Sequence, residues 1–313
     1  MDSILDIQLK RLQTDHIDYY LVHAINSKDG WQRMKQLGVE EFLDKAKQSG
    51  KINHTGFSYH GDRFQFTDIV DDFPWDLCQI QYNYMDEYTQ AGKEGLAYAA
   101  SKGLGVSVME PLRGGLLARK MPPQVQAVFE QAEANRTPAE WALRWVWNHP
   151  GVSVVLSGMN EEFQIEENIR VAKSAYPQSL SANELKCIND AKELLSKKLK
   201  VGCTGCGYCM PCPAGVNIPM CFGYYNDKYV YEEKSPQTSY LGMLAAMDGG
   251  TPSYASLCRD CGKCEIHCPQ SLPIRKHLKE VSKDMESFYF KPIVRLVRGY
   301  YTIRKRLKRK PKL

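Results

Sequence analysis

Cysteine is nearly absent from the first two hundred residues of this 313-residue chain, where only Cys78 and Cys187 occur. An N-terminal charged-then-apolar segment of the secretory kind is also lacking, as is any uninterrupted apolar run long enough to span a bilayer. No acidic residue follows Glu286. These absences argue against a secreted disulfide framework and against a membrane-spanning helix, and set the expectation of a cytoplasmic protein. The start, "MDSILDIQLKRL", reads instead as an amphipathic helix with Ile4, Ile7 and Leu12 roughly on one face. What remains is globular in balance, 43% hydrophobic and 25% charged, and long enough for two domains. The net charge of +5 is concentrated at the C-terminus and says little about the main body.

Nine of the eleven cysteines fall between residues 203 and 268. Without a signal segment, that density points to metal or redox chemistry. Composition breaks near "KELLSKKLKVGC", where an amphipathic helix gives way to Gly-Cys loops. The expected domains are therefore 1–198, 199–286 and a basic tail, 287–313.

Two cysteine runs carry the signal. The first is Cys203-x2-Cys206-x2-Cys209-x2-Cys212-Pro213; the second is Cys258-x2-Cys261-x2-Cys264-x3-Cys268-Pro269. The second matches the bacterial ferredoxin run, in which three thiolates hold one [4Fe–4S] cluster and the fourth ligates its neighbour. Gly205, Gly207 and Gly262 let the loops turn tightly. Crossing the ligands puts Cys203, Cys206, Cys209 and Cys268 on one cluster, and Cys258, Cys261, Cys264 and Cys212 on the other. A zinc site of two separated pairs would leave half of these thiols without a role. Cys212 follows a spacing of two rather than three, and Cys221 fits neither run; Cys221 reads as a packed core thiol, with a ligand role as the alternative. The segments between the runs, "MCFGYYNDKYVYEE" and "SYLGMLAAMDG", look helical, as in a helical dicluster ferredoxin domain.

Upstream, strand-like runs at 17–23, 54–58, 77–83, 105–111 and 152–158 alternate with helical patterns such as "GVEEFLDKAKQSG". That alternation implies βα units and a parallel sheet. Polar residues sit at the strand C-ends (His23, Ser58, Asn83, Glu110, Ser157), where barrel active sites are built.

The segments "LKRLQTDHIDYYLVH", "SGKINHTGFSYH", "CQIQYNY", "MEPLRGGLLA" and "ALRWVWNHPGVSVVLSGMNEEFQIEENI" resemble the second half of an aldo/keto reductase barrel. With the cysteine domain, residues 8 to about 285 are similar to the aldo/keto reductase-like oxidoreductases that carry a 4Fe–4S dicluster domain. The resemblance implies an α/β fold: a partial (β/α)8 barrel, its strands the family's fourth through eighth, then a small, mainly helical dicluster domain. It implies that His23 is the catalytic histidine that orients the substrate carbonyl. Ser58 and Gln79 would hydrogen-bond the nicotinamide carboxamide, and Met109 would stand where relatives stack an aromatic ring. Gln164, Glu167 and Asn168 would hold the adenosine end of NAD(P)H. The plain readings are an inward barrel-layer residue for Gln79 and a solvated helix face for Glu167.

The family's first three strands have no counterpart here, and with them go its catalytic aspartate, tyrosine and lysine. Tyrosine is the general acid of the reaction and lysine lowers its pKa. Ser157 and Gly158 stand where a basic residue usually meets the 2′-phosphate, so neither NAD nor NADP is selected. Met1 falls inside what looks like the family's third helix, which favours a truncated reading frame over a partner chain that supplies the strands or a decayed paralogue. The edge of "IDYYLVH" would lie open.

Two functions follow as expectations. One is an iron–sulfur oxidoreductase, coupled in a complete chain to NAD(P)-dependent reduction of a small carbonyl; the other is an electron carrier whose barrel remnant only docks. A hydride carries two electrons whereas a cubane ordinarily passes one, so a separate redox protein or flavoprotein is the expected partner. The tail, "KPIVRLVRGYYTIRKRLKRKPKL", reads as a basic amphipathic helix for an anionic membrane surface or an acidic partner, or as a solvated end partly packed on the ferredoxin domain. No base-reading or stacking motif accompanies its charge, so nucleic acid is not expected.

Overall fold

The computed structural model describes residues 1–308 apart from 133, 232–234 and 247–249. The chain divides into two compact units, Met1–Lys192 and Glu193–Leu313. The division falls inside one continuous helix, Ala182–Lys198, whereas composition changes only where that helix ends.

In the first unit five strands form one sheet: β1 (Ile17–Ile25), β2 (Ile52–Tyr59), β3 (Leu77–Gln81), β4 (Gly105–Met109) and β5 (Val154–Val155). Their order is β1-β2-β3-β4-β5 and every described pairing is parallel. Helices α1 (Asp2–Leu12), α2 (Lys28–Gln36), α3 (Val39–Gln48), α4 (Arg63–Asp71), α5 (Gly92–Ser101), α6 (Pro123–Glu130), α7 (Pro138–Trp147), α8 (Glu162–Ser174) and α9 (Ala182–Lys198) connect or flank them. Several starts are written locally. Ser27 Oγ accepts from Gly30 N–H at α2, Asp62 Oδ1 from Phe64 N–H at α4, and Thr137 Oγ1 from Glu140 N–H at α7, where Pro138 fills the first turn.

One face of the sheet is sealed by an aromatic cluster in which Phe57 and Phe73 each contact Trp75, at 4.9 and 4.6 Å between ring centroids, and Trp31 lies 5.1 Å from Trp75. The C-terminal half of β2 is buried on both faces, as a central parallel strand should be. Among the described residues β1 pairs only with β2 and β5 only with β4, so the sheet is open at both edges. Tyr19 of β1 is 51% exposed. The last strand is shorter than its predicted span of 152–158, because its one neighbour holds it through only two registered pairs, Ser107↔Val154 and Val108↔Val155. The first helix also departs from expectation. Leu5 and Leu9, one turn apart, are its buried face, and Ile4, Ile7 and Leu12 are exposed.

The second unit is helical: α10 (Ile218–Val230), α11 (Ser235–Leu244), α12 (Lys263–Ile266), α13 (Ile274–Met285) and α14 (Phe290–Lys308). Its core joins Val216, Ile218, Phe222, Tyr240, Leu278 and Val281, with Phe290 and Val294 of α14 included. Asn226 clamps the segment ahead of the first cysteine run: its Oδ1 accepts from Lys200 and Val201 N–H, and its Nδ2 donates to Val201 O at 2.7 Å. Among the described residues no helix is long and apolar enough to cross a membrane.

Candidate metal centre and barrel face

The two cysteine loops take the same shape. Gly205 and Gly207 have φ of 76° and 82°; Asp260 and Gly262, at the matching places of the second loop, have 59° and 76°. Glycine takes the left-handed conformation freely, and Asp is among the few other residues that tolerate it. In each loop the N–H two residues on donates to the first cysteine: Gly205 to Cys203 Sγ and Asp260 to Cys258 Sγ, both at 3.4 Å. In each, the middle cysteine (Cys206, Cys261) is exposed and its two companions are half-buried.

Cys203, Cys206, Cys209 and Cys268 line one cavity, closed on its other sides by Ile218, Phe222, Leu272 and Ile274. The fourth cysteine thus comes from the second run. Burial pushes the Cys209 thiol up to about 12, and the nearby Cys203, Cys206 and Cys268 add to the shift. Cys264 is raised by burial first, then by Glu265, with Cys258 and Cys212 also contributing. Cys212 is thus near enough to raise both Cys264 and the buried Cys221. Cys221 is fully buried; its Sγ donates to Ser253 O at 3.8 Å, and burial raises it to about 12. Among the described residues no three His, Cys, Asp or Glu side chains converge as they would on a single ion. Four thiols around one apolar-walled cavity suit a cube of iron and sulfide, with metal displacing protons from sulfur.

In the sheet, Ser58 pairs with Gln79 and Gln79 with Ser107, while Gln81 pairs with Met109. Gln79 Nε2 reaches Met109 Sδ at 3.7 Å. The register thus brings Ser58, Gln79 and Met109 together across three strands. Ser58 Oγ accepts from Ala24 N–H at 2.8 Å, where the β1–β2 register shifts. His23 is exposed and lines a cavity of about 690 Å³ along β1 with Leu12, Val22, Phe42 and Leu43. The candidates on α8 are held locally. Gln164 Oε1 accepts from Asn160 N–H (3.1 Å), Glu167 Oε1 from Thr137 Oγ1–H (2.6 Å), and Asn168 Nδ2 donates to Ser157 Oγ (2.9 Å).

Beyond these residues lies a buried polar network that sequence reasoning missed, apart from Asn83 and Glu110 as strand-end residues. Gln90 Nε2 donates to Gln81 Oε1 (2.6 Å), Gln81 Nε2 to Asp86 Oδ2 (3.3 Å), and Arg113 Nε to the same oxygen (2.8 Å). Asn83 Nδ2 donates to Asp86 Oδ2 and to Glu110 O, both at 3.1 Å. His60 joins its outer end: burial lowers its pKa, Gln90 opposes that, and His23 adds to the lowering. The available signal was the polar density of "QYNYMDEYTQ" and "EPLRGG" beside buried strands.

Residues 1–189 match the model of the aldo/keto reductase family, more than half of the chain. The chain belongs to the aldo/keto reductase family. Residues 202–272, which include both cysteine runs, match the 4Fe-4S dicluster domain. The reductase portion is similar to an uncharacterized oxidoreductase, YrpG, of Bacillus subtilis (strain 168): 26% identical over 217 residues, covering 59% of this chain and 61% of the relative. It is also similar to L-galactose dehydrogenase of Arabidopsis thaliana, 28% identical over 182 residues, covering 53% and 55%. The chain thus spans little more than half the length of these relatives. Among solved structures, an aldo/keto reductase from Klebsiella pneumoniae in complex with NADP and acetate is 23% identical, covers 61% of this chain and 64% of its own, and has a TM-score of 0.49. The holo form of aldo-keto reductase AKR11C1 from Bacillus halodurans gives 23%, 60%, 63% and 0.47. In this aldo/keto reductase the five parallel strands are an open part of a barrel, and an iron–sulfur domain follows.

One consequence for the reductase unit concerns pH. Burial lowers the pKa of His60 and of His149, whose Nδ1 bonds Trp145 O and whose Nε2 faces Tyr82 Oη. Both rings stay neutral when folded but protonate near 6.5 when unfolded. The unfolded state then binds more protons below pH ~6.5, so this unit loses stability as pH falls from there toward the lowered folded values. Carboxylates such as Glu140, held down, act only at more acid pH, and exposed His16, raised by Asp15, opposes the trend. The urea midpoint followed by tryptophan fluorescence should be lower at pH ~5.5 than at ~7.5. His149→Gln should shrink the difference; an unchanged difference would mean that His149 protonates without unfolding.

Proposed function

We propose that the chain is an oxidoreductase that passes electrons through two [4Fe–4S] clusters. The observation that carries this reading is the cavity lined by Cys203, Cys206 and Cys209 together with Cys268 from the other run. Cys258, Cys261, Cys264 and Cys212 would hold the second cluster, and Cys221 stays a core thiol. Bound there, each cluster supplies one-electron transfer. The protein's part is to fix the thiolates on two matched loops, exclude water with Ile218, Phe222 and Leu272, and donate Gly205 and Asp260 N–H to sulfur. Exposed Cys206 and Cys261 are the corners nearest a separate redox protein or flavoprotein partner. A cytoplasmic site suits thiols that must remain reduced until iron arrives. Anaerobically purified protein should contain about eight irons and about eight acid-labile sulfides; stoichiometric zinc without labile sulfide would refute the assignment.

In the reductase unit, His23 would orient a small carbonyl, with Ser58, Gln79 and Met109 at the nicotinamide end of NAD(P)H and Gln164, Glu167 and Asn168 at the adenosine end. No residue of this chain matches the family's tyrosine–lysine proton donor, so the 313-residue polypeptide should reduce simple aldehydes with NADH or NADPH only at trace rates. Robust turnover lost in His23→Ala would reveal another proton source. The second reading, an electron carrier whose barrel portion docks a partner, is favoured by the internal hydrogen bonds already made by Ser58, Gln164, Glu167 and Asn168.

A further inference from the structure

Helix α14 presents three rows, each a pair one turn apart. Phe290 and Val294 are buried in the core of the second unit, 2% and 3% exposed. Lys291 and Arg295 are exposed on one flank of that seam. Leu296 and Tyr300, 74% and 60% exposed, lie on the other, continuing from Phe288 and Tyr289 at 91% and 51%. Residues four apart share a helix face, so the buried row fixes the roll and leaves a basic and an apolar flank outward.

The charge is as uneven as the apolar surface. Ten of the 41 Lys and Arg lie in residues 291–313, with none of the 36 acids, which leaves the rest of the chain with an excess of five acids. Among the described residues no helix is long and apolar enough to cross a bilayer. A helix that is too polar to span, basic on one flank and aromatic–aliphatic on the other, has the composition of one that lies in the interface plane.

We propose that α14 seats the iron–sulfur domain on an anionic lipid surface, with Leu296 and Tyr300 in the headgroup–acyl boundary and Lys291 and Arg295 on the phosphates. A purely acidic protein surface would satisfy the lysine and arginine but leave Phe288 and Leu296 in water. A bilayer accepts both, and tyrosine is a favoured interfacial residue. The acidic balance of the remaining chain repels such a surface, so α14 sets which face approaches it. This assignment holds whether or not the clusters carry electrons.

The test is flotation of the intact, anaerobically purified chain with phosphatidylcholine vesicles, with and without about one-third phosphatidylglycerol, at about 0.05 and 0.5 M salt. Binding should require the anionic lipid and weaken several-fold at high salt. With each basic residue near the surface contributing about fivefold, Lys291→Glu/Arg295→Glu should lower partitioning roughly twentyfold or more. Leu296→Glu should lower it about tenfold. Iron content equal to wild type would show that both variants are folded. Equal binding to neutral vesicles, no binding, or variants that bind like wild type would overturn the proposal. So would tight capture by polyglutamate together with Leu296→Glu vesicle binding that matches wild type, the pattern of an acidic protein partner.

Discussion

A chain carrying both Cys206→Ser and Cys268→Ser should keep about four of the eight irons proposed for the intact chain, as many as either single variant. The two residues are 62 positions apart but line the same cavity. If each run instead held its own cluster, the double variant would strip both and leave almost none. The companion variant, Cys206→Ser/Cys212→Ser, should lose nearly everything if Cys212 completes the second cluster, as proposed from its place near Cys264. Cys221→Ser should leave iron unchanged, since its thiol is fully buried against Ser253 O and Tyr240. Loss of about four irons from Cys221→Ser would make Cys221, not Cys212, the eighth ligand. Iron and sulfide analysis of the five proteins decides among these outcomes.

The second large effect is expected in the reductase unit. Asp86 and Arg113 form an ion pair at 2.8 Å with side chains only 10% and 6% exposed. Asp86→Ala would strand the guanidinium in the interior and should destabilise this unit by about 3–5 kcal/mol. Arg113→Met should cost less, because Asp86 would keep donors from Asn83 and Gln81. The double variant, Asp86→Leu/Arg113→Met, should recover much of the loss, since an apolar pair needs no desolvated charge. All five tryptophans precede residue 193, so their fluorescence in a denaturant titration reads this unit alone. Equal losses in Asp86→Ala and the double variant would mean that packing, not charge, is what the pair supplies.

What could be read in the sequence was whatever is local. Strands β1 to β4 begin and end within about two residues of their apolar runs, because alternation and flanking turns are written into adjacent residues. The cysteine runs are equally local, and their glycines take the left-handed backbone that the tight spacing requires. The helix α1 is legible, but not which of its apolar residues face inward, because Ile4, Ile7 and Leu12 compete with Leu5 and Leu9 on the same short helix and only tertiary packing chooses between them. The last strand was overextended because its length depends on neighbours rather than on its own apolar residues. The Asp86 network escaped for a similar reason. Arg113 meets Asp86 across 27 positions, and His60 comes beside Gln90 only after two strands have been laid down.

"CTGCGYC" and "CRDCGKC" share spacing, left-handed positions, an N–H to the first sulfur and an exposed middle thiol. Their likeness thus extends from spacing to backbone conformation and to the contact on the first sulfur. Asp260 is the clearest difference: it stands where the first loop has Gly205 and uses its carboxylate to reach Lys279 at 2.7 Å and Arg275 at 3.7 Å. The two loops should be interchangeable. Grafting the first loop's residues onto positions 258–264 would remove the charged side chains of Arg259, Asp260 and Lys263, exchange the Asp260 anchor for a freer backbone, and should leave the geometry around the sulfur intact.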